Sequence, residues 1–486
     1  MTDTTTPAAG QLTRRTLVLI AVSLGMFLLQ LDATIVSVAL PAIGQHLHTS
    51  VSGLQWVVDA YILPLAGLLL IAGRLGDIFG HKRVFLAGLA VFAAASLGGA
   101  LAPSGGWLVA ARAAQGVGAA FELPATLAIL THAFPVPRER ARAIGIWASA
   151  AGLSLAVGPI LGGWLVDTVG WQSIFWLNVP LTVGTGLLAF VIVPDTRGRR
   201  TPLDLPGQVL GTATLALVAY VAIDGHRRGW SSPVLLALLA LAVCMLVGFL
   251  AVERRTPDSI LPLGFFRSPS FTTGNIAGLV MGFILLGLMF MFSLFFQQAC
   301  GNSATQTGAR FLPLSIAFVV TGPFAGKVIG RFGARWALTS GLTLIGLGTA
   351  MLTGTDIATG YLFLAGPFVV IGVGYAFAST SIATAVMGSV PPERAGMASS
   401  VNNTARQTGG VLGVAALGSL LAQESGHGVA GLASGLHTGL WIATACALAC
   451  ALLAASFLPS AAAGRPDPRP GTLSPAKPWT PTDVTT

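Results

Sequence analysis

The sequence predicts an all-α polytopic membrane protein with about fourteen transmembrane helices. Three observations predict it: 54% of the 486 residues are hydrophobic, only 9% are charged, and the apolar residues form long runs. Soluble proteins carry roughly 25% charged residues, and a helix needs about 20 apolar residues to cross a bilayer. No polar stretch is long enough for a soluble domain, so lipid is the solvent that fits this composition.

The apolar runs divide the chain into three groups of helices. The first six are expected near residues 16–40, 51–73, 84–102, 106–131, 142–166 and 172–193. The central two are expected near 205–225 and 232–252, and the last six near 271–298, 307–330, 336–354, 359–390, 395–422 and 438–458. The resulting domains are a cytoplasmic N-terminal segment (1–15), a six-helix half (16–193), a central pair with cytoplasmic links (194–270), a second six-helix half (271–458) and a disordered cytoplasmic tail (459–486).

Two short segments recur about half a chain later. Residues 73–82 are echoed by 326–335, an offset of 253, and residues 136–141 by 390–395, an offset of 254. Both pairs lie in corresponding loops of the two halves. Parallel repeats with a binding site at their interface are a transporter architecture.

The basic residues predict the orientation. With the N-terminus in the cytoplasm, 21 of the 26 Lys and Arg residues fall in cytoplasmic segments, three in external loops and two inside helices. Because cytoplasmic loops carry an excess of Lys and Arg, we expect a multi-pass membrane protein with both termini in the cytoplasm. This bias also explains the net charge of +9, so no nucleic-acid partner is expected. Arg supplies 23 of the 26 basic residues, and Ala and Gly are abundant, a skew typical of GC-rich bacterial genomes, so a bacterial cell membrane is expected.

Five ionisable residues lie inside predicted helices, where a charge is costly and marks function. They are Asp32, Asp59, Arg112, Glu122 and Arg406. From the helical rise, the first two lie about 12 Å below the outer surface and Arg112 about 9 Å, in one layer. A low-dielectric environment favours a neutral carboxyl group and a neighbouring guanidinium favours an ionised one, so a balanced site can take up and release a proton. Proton coupling is therefore predicted for Asp32, Arg112 and Asp59.

Polar stripes on two helices predict the substrate site. Glu122, about 14 Å from the cytoplasmic end of its helix, shares a stripe with Arg112 and Gln115. We expect this stripe to face a water-filled cavity, where an isolated acid suits a lipophilic cation; Asp59 and Glu122 could instead cap a loop or a neighbouring helix. A second stripe contains Ser399 and Arg406, and it either contacts substrate or holds helices together. The predicted substrate-binding residues are Glu122, Gln115, Asp59, Asn402, Asn403 and Arg406.

Two glycine-rich segments predict the moving parts. In residues 73–83 the glycines allow a tight turn, and Asp77 can cap a helix end or pair with Arg83 in a charge latch that breaks as the halves move. In residues 158–163 the glycines allow close helix packing, and Pro159 removes a helical hydrogen bond. The predicted gating residues are Gly73, Arg74, Gly76, Asp77, Gly80, Lys82, Arg83, Gly158, Pro159, Gly162 and Gly163.

Four segments together resemble the motifs of one transporter family. Residues 31–41, 73–83, 112–118 and 158–163 resemble the first-helix, loop, fourth-helix and fifth-helix motifs of the major facilitator superfamily, in its fourteen-helix drug:proton antiporter branch. His81 stands where a basic residue is usual, and Ser154 where Gly is commoner. The resemblance covers the chain except its tail. It implies the major facilitator fold, with two parallel six-helix halves and two inserted central helices, and a fifth-helix element that seals the cavity.

The sequence therefore predicts an exporter of drugs or other small amphipathic or cationic compounds, driven by protons through alternating access and acting as a monomer in the lipid bilayer. The nearest match to a phosphate-binding loop, residues 322–328, is one residue short and lacks the Ser or Thr, so an ion gradient is expected to supply the energy. The sequence contains no nucleophile–base or metal-ligand pattern, so neither enzymatic activity nor a cofactor is expected. Two alternatives stay open: a proton-coupled importer of the same fold, and a membrane scaffold or sensor.

Overall fold

The computed structural model describes residues 9–195, 204–229, 231–256, 261, 263–391, 394–424 and 428–459. The N-terminal half consists of α1 (Ala9–His46), α2 (Val51–Phe79), α3 (His81–Ala100), α4 (Gly105–Ala133), α5 (Pro137–Thr168) and α6 (Gln172–Ile192). The central pair is α7 (Leu205–Arg228) and α8 (Pro233–Arg255). The C-terminal half consists of α9 (Pro269–Leu294), α10 (Ala304–Arg310), α11 (Leu312–Phe332), α12 (Ala334–Leu352), α13 (Tyr361–Met387), α14 (Ala395–Glu424) and α15 (Gly428–Phe457).

These helices confirm the predicted all-α membrane fold. In the described part of the chain α10 and α11 form one crossing, interrupted at Phe311, so that fourteen crossings result. Most helices extend past the apolar runs, because polar residues outside the hydrocarbon continue the helix and cap it; Ser50 and Ser104, for example, accept hydrogen bonds at the starts of α2 and α4. The expected disordered tail, from residue 460 onward, lies outside the described residues.

The outer surface of the bundle is apolar enough to require lipid. Leu362, Val191 and Leu452 are 90%, 76% and 70% exposed, and a soluble protein rarely exposes so many large apolar side chains in contiguous patches. Twelve described helices are long and apolar enough to cross a membrane. The two other crossings, α12 and α14, carry more polar residues, and in α14 these face the interior of the bundle.

The two halves repeat the same packing. In the first half α1 packs on α5, α2 on α4, and α3 on α4 and α6. In the second half α9 packs on α14, α11 on α13, and α12 on α13 and α15. Gly80 and Gly333, 253 positions apart, join successive helices with φ of 101° and 85°, a conformation that favours glycine. The sequence repeat therefore corresponds to a repeated helix–turn–helix.

The halves contact each other mainly at one end. We name the end of the bundle where α1 begins the proximal end, and the end where α1 finishes the distal end. Near the distal end, Gln55 donates hydrogen bonds to the carbonyl oxygens of Val414 and Ala415, at 2.9 and 2.8 Å, and Gln297 donates to Val38 O at 3.0 Å. Helix α7 packs on α2 and α14 and covers their seam. The distal end is therefore closed, whereas the proximal half contains a cavity.

Candidate functional site

A buried polar network surrounds Asp32. The side chain is completely buried, and Arg112, 1% exposed, forms an ion pair with it through Nη1 and Oδ2. Asn178 Nδ2 donates a hydrogen bond to Asp32 Oδ1 at 2.7 Å, and Gln115 Nε2 donates to the same atom at 3.3 Å. Three donors thus point at one carboxyl group, and its hydrogen bond to the guanidinium is of the strong, charge-assisted kind.

Arg112 is held in place by further contacts. Its Nε donates to Val57 O at 3.0 Å, its Nη1 donates to Gln115 Oε1 at 2.9 Å, and its guanidinium lies 4.4 Å from the ring centre of Tyr61. Gln115 in turn donates to Ser96 Oγ at 2.8 Å. The network therefore joins α1, α2, α3, α4 and α6, and it orients the guanidinium toward α1.

The residues that sequence reasoning missed in this network are Asn178, Ser96 and Tyr61. Asn178 is a carboxamide inside the predominantly apolar helix α6, and this polar group within a predicted crossing was the available signal. Its partner could not be read from the sequence, because the contact joins residues 146 positions apart.

Asp59 and Glu122 lie outside the network. Both are completely buried, and none of their four carboxyl oxygens has a hydrogen-bond partner among the described residues. Glu122 packs against α3, with its Cγ 3.0 Å from where a Cβ on Gly88 would stand. The expectation that Gln115 and Glu122 face a water-filled cavity is wrong, because this face of α4 packs inside the N-terminal half.

A cavity of about 320 Å³ lies between the two halves in the proximal half of the bundle. It is lined from α1, α2 and α5 on one side and from α9, α11, α13 and α14 on the other. Asn402, Asn403 and Arg406 line it, while Asn402 also donates to Gly274 O of α9 at 3.2 Å. Its aromatic lining comes from Trp147, Phe318 and Tyr375, which periodicity alone did not single out.

Helix α1 forms the wall between the cavity and the buried network. Gln30, Ala33 and Thr34 line the cavity, whereas Asp32 points to α4 and α6. On its cavity side α1 is tied to α5, since Ser154 Oγ donates to Phe27 O at 3.0 Å. Movement of this one helix would therefore affect both the carboxylate and the cavity.

The loop motif differs from its expected geometry. Gly73, Arg74, Gly76 and Asp77 lie inside α2, so the turn expected at the first glycines occurs instead at Gly80.

The prediction that Asp77 and Arg83 form an ion pair is also wrong. Asp77 Oδ1 lies 3.3 Å from His81 Nε2, while Arg83 pairs with Asp195 at 3.5 Å. Because α2 stays helical through Phe79, the start of α3 brings His81 beside Asp77 and directs Arg83 toward the end of α6. Lys82 lies 5.4 Å from the ring centre of Phe190.

The fifth-helix motif packs on both halves. Gly158 and Gly162 face α1, where a Cβ would overlap Thr34 and Ile35. Gly163 faces the backbone of Ala304 in the opposite half, and Gly308 of α10 faces the carbonyl of Pro159, so neither backbone approach leaves room for a Cβ.

A carboxylate at the end of α5 extends this contact. Asp167 accepts hydrogen bonds from the backbone N–H groups of Ala304 and Thr305, at 3.1 and 2.8 Å, at the N-terminus of α10. An acidic side chain is favourable there because the helix dipole places partial positive charge at that end. Sequence reasoning missed this acid, which contributes to the closure of the distal end.

Known proteins resemble this chain over most of its length. It is 36% identical over 412 residues to the methylenomycin A resistance protein of Streptomyces coelicolor, covering 84% of this chain and 87% of that protein. It is 38% identical over 409 residues to the multidrug resistance protein Stp of Mycobacterium tuberculosis, covering 84% and 76%. It is 36% identical over 423 residues to the tetracenomycin C resistance and export protein of Streptomyces glaucescens, covering 87% and 78%.

Solved structures share the fold at low sequence identity. A peptide transporter POT in complex with sulfate has a TM-score of 0.67 at 14% identity, covering 90% of this chain and 93% of that one. A bacterial homologue of the human lysosomal transporter Spinster, in an inward-facing and unoccupied conformation, has a TM-score of 0.60 at 17% identity, covering 91% and 96%. The family model of the Major Facilitator Superfamily matches residues 22–414. The chain therefore belongs to the Major Facilitator Superfamily, and its fourteen crossings and drug-resistance relatives agree with the fourteen-helix branch that its motifs resemble.

Proposed function

We propose that this protein is a proton-coupled antiporter that exports small amphipathic compounds across the cytoplasmic membrane by alternating access. The observation that carries the proposal is the position of Asp32. Its carboxylate pairs with Arg112 behind α1, while Gln30 and Thr34 of the same helix line the cavity. Membership of a transporter family, and relatives named for drug resistance and export, support outward transport of small compounds.

The contrast between the two ends supports alternating access. The distal end is closed by inter-half contacts such as Asp167 with α10, and the cavity lies in the proximal half. If the N-terminus is cytoplasmic, as the basic residues predict, this state faces the cytoplasm. Substrate would enter from that side, and separation of α5 from α10 would open the opposite end.

The chemistry at Asp32 supports proton coupling. Protonation would remove the negative charge opposite Arg112 and one acceptor position for Asn178 and Gln115. The guanidinium would then lose its counterion in a low-dielectric setting, which favours rearrangement of α1 against α4 and α6. Because α1 also lines the cavity, proton binding and substrate binding act on the same helix.

Asp59 is retained in the proposal as a second proton-binding group. Its carboxyl group is buried in α2 without a hydrogen-bond partner among the described residues, and such a costly group inside a membrane protein is a reason to assign it a function.

The glycines of α5 act as the seal of the distal end. Since both cavity walls come from one chain, the proposed working unit is a monomer.

The proposal can be tested by reconstitution into proteoliposomes with an acidic lumen. Two fluorescent probes with one ring system and permanent charges are suitable: anthracene-2-sulfonate and (anthracen-2-ylmethyl)trimethylammonium. An antiporter is expected to accumulate at least one probe as protons leave the lumen. Asp32→Asn should lose this accumulation yet still exchange external for internal probe, because exchange does not require a proton step. Glu139→Gln, which removes an exposed carboxylate, is the matched control and should behave like the parent.

Each other outcome would contradict a specific part of the proposal. Equal gradient-driven accumulation by Asp32→Asn and the parent would rule out Asp32 as the proton site. Accumulation only with an alkaline lumen would indicate a proton-coupled importer. Movement of neither probe under either gradient would reject export of such compounds.

A further inference from the structure

The cavity between the halves carries one charged side chain among the described residues that line it, Arg406 of α14. The remainder of that lining is apolar or uncharged. Its polar members on the same helix are Ser399, Asn402, Asn403 and Gln407. The buried acids of the N-terminal half, Asp32, Asp59 and Glu122, belong to other surroundings. The described lining therefore offers a fixed positive charge and no carboxylate.

Arg406 has few partners in the protein. Its Nη2 donates one hydrogen bond, to Asn403 Oδ1 at 3.0 Å, and no ion pair joins it to a carboxylate within the described ranges. A guanidinium has five N–H donors, so most of them remain available to a ligand. The backbone of Arg406 packs tightly against α9, because its carbonyl oxygen faces Gly282 with no room for a Cβ between them.

An unpaired guanidinium in such a cavity favours one kind of ligand. A charge that is partly removed from water is unfavourable until an opposite charge and hydrogen-bond acceptors compensate it. The planar guanidinium matches a carboxylate, sulfonate or phosphate group in a bidentate manner. The aromatic side chains of Trp147 and Phe318, on α5 and α11, provide apolar surface for the rest of a ligand across the same cavity.

We infer that the cavity binds amphipathic anions, with the anionic group at Arg406 and the apolar body against Trp147 and Phe318. The inference rests on the proposed function, since it names the substrate class of the proposed exporter. It also revises the expectation of a lipophilic cation. That expectation depended on Glu122, which packs against α3 and not in the cavity.

Equilibrium binding to the detergent-purified full chain tests the inference separately from transport. The parent is expected to bind anthracene-2-sulfonate at least about tenfold more tightly than the trimethylammonium probe. Arg406→Gln should weaken sulfonate binding about tenfold to hundredfold, the range for a charge-assisted hydrogen bond, and leave cation binding unchanged or tighter. Arg406→Lys should keep the preference with reduced affinity, because lysine lacks the planar fork.

Arg310→Gln is the matched control. It removes one positive charge from the end of α10, where Arg310 lies 4.8 Å from the ring centre of Phe296 and outside the cavity lining, so the binding ratio should not change. Tighter binding of the cation by the parent would overturn the inference, as would unchanged sulfonate affinity in Arg406→Gln. If that variant does not fold, the probe preference of the parent and of Arg406→Lys decides.

The same probes separate the two proposals. Selective sulfonate binding without gradient-driven movement would leave the anion site in place and reject proton-coupled export. Gradient-driven movement of a probe, with a sulfonate-to-cation binding ratio that does not change in the Arg406 variants, would support proton-coupled export and reject the anion site.

Discussion

Replacing Asp32 with asparagine tests whether the buried network contains a true ion pair. Asparagine has nearly the same volume, but it leaves Arg112 as a cation that is 1% exposed and has lost its counterion. Removing one partner of a buried ion pair costs about 3–5 kcal/mol. We therefore expect Asp32→Asn to lower the free energy of unfolding by about 3–5 kcal/mol at neutral pH.

An exposed pair of the same chemistry provides the comparison. Glu139 and Arg15 lie 3.4 Å apart with their side chains 49% and 33% exposed, so Glu139→Gln should cost less than about 1 kcal/mol. The double variant Asp32→Asn/Arg112→Gln leaves no buried charge at this site. It should therefore be more stable than the sum of the two single losses predicts, by about 1–3 kcal/mol.

The assay is equilibrium unfolding in mixed micelles, followed by circular dichroism of the helices. A loss of less than about 1 kcal/mol in Asp32→Asn would refute the reasoning, because the pair would then behave like an exposed one. Strict additivity in the double variant would refute it as well. Either result would also remove the electrostatic basis for proton coupling at this carboxylate.

Three further predictions concern the closed distal end and the buried acid Glu122. Gly163→Ala should lower the free energy of unfolding by about 1–3 kcal/mol, because the new Cβ would overlap the backbone of α10. Gly145→Ala on the same helix should raise it by about 0.5–1 kcal/mol, since a Cβ there meets nothing within 4 Å. Equal effects of the two substitutions would contradict the close contact between α5 and α10. Asp167→Asn should shift the halves about two- to fivefold toward an open distal end, measured as a spin-label distance between α5 and α10, and an unchanged distribution would exclude its role. Glu122→Gln should leave the binding ratio of the two anthracene probes unchanged, because the side chain packs against α3; a changed ratio would place it at the substrate.

The fold was predictable because a bilayer permits few alternatives. Apolar runs, the distribution of basic residues and the internal repeat each depend on local sequence, and together they predict fourteen crossings and two parallel halves. Helix ends were less predictable. Residues after Gly73 leave the apolar pattern while α2 continues to Phe79, since a helix outside the hydrocarbon needs only hydrogen bonds and a cap.

Depth in the membrane could be predicted for the ionisable residues, but the face each one presents could not. Asp32 and Arg112 were expected in one layer, and they form an ion pair. Asp59 was expected in the same layer, yet it contacts neither of them through a hydrogen bond. Helical rise determines depth from residue number alone, whereas facing depends on how each helix is rotated against its neighbours.

The sequence by itself determined that this chain is a membrane transporter with costly charges inside its helices. The tertiary structure decided which of those charges meet. It paired Asp32 with Arg112 and Asn178 behind α1, packed Glu122 against α3, and left Arg406 as the charged side chain in the described lining of the cavity. The physical reason is that these contacts join residues far apart in the chain, and only the packing of whole helices brings them together or keeps them apart.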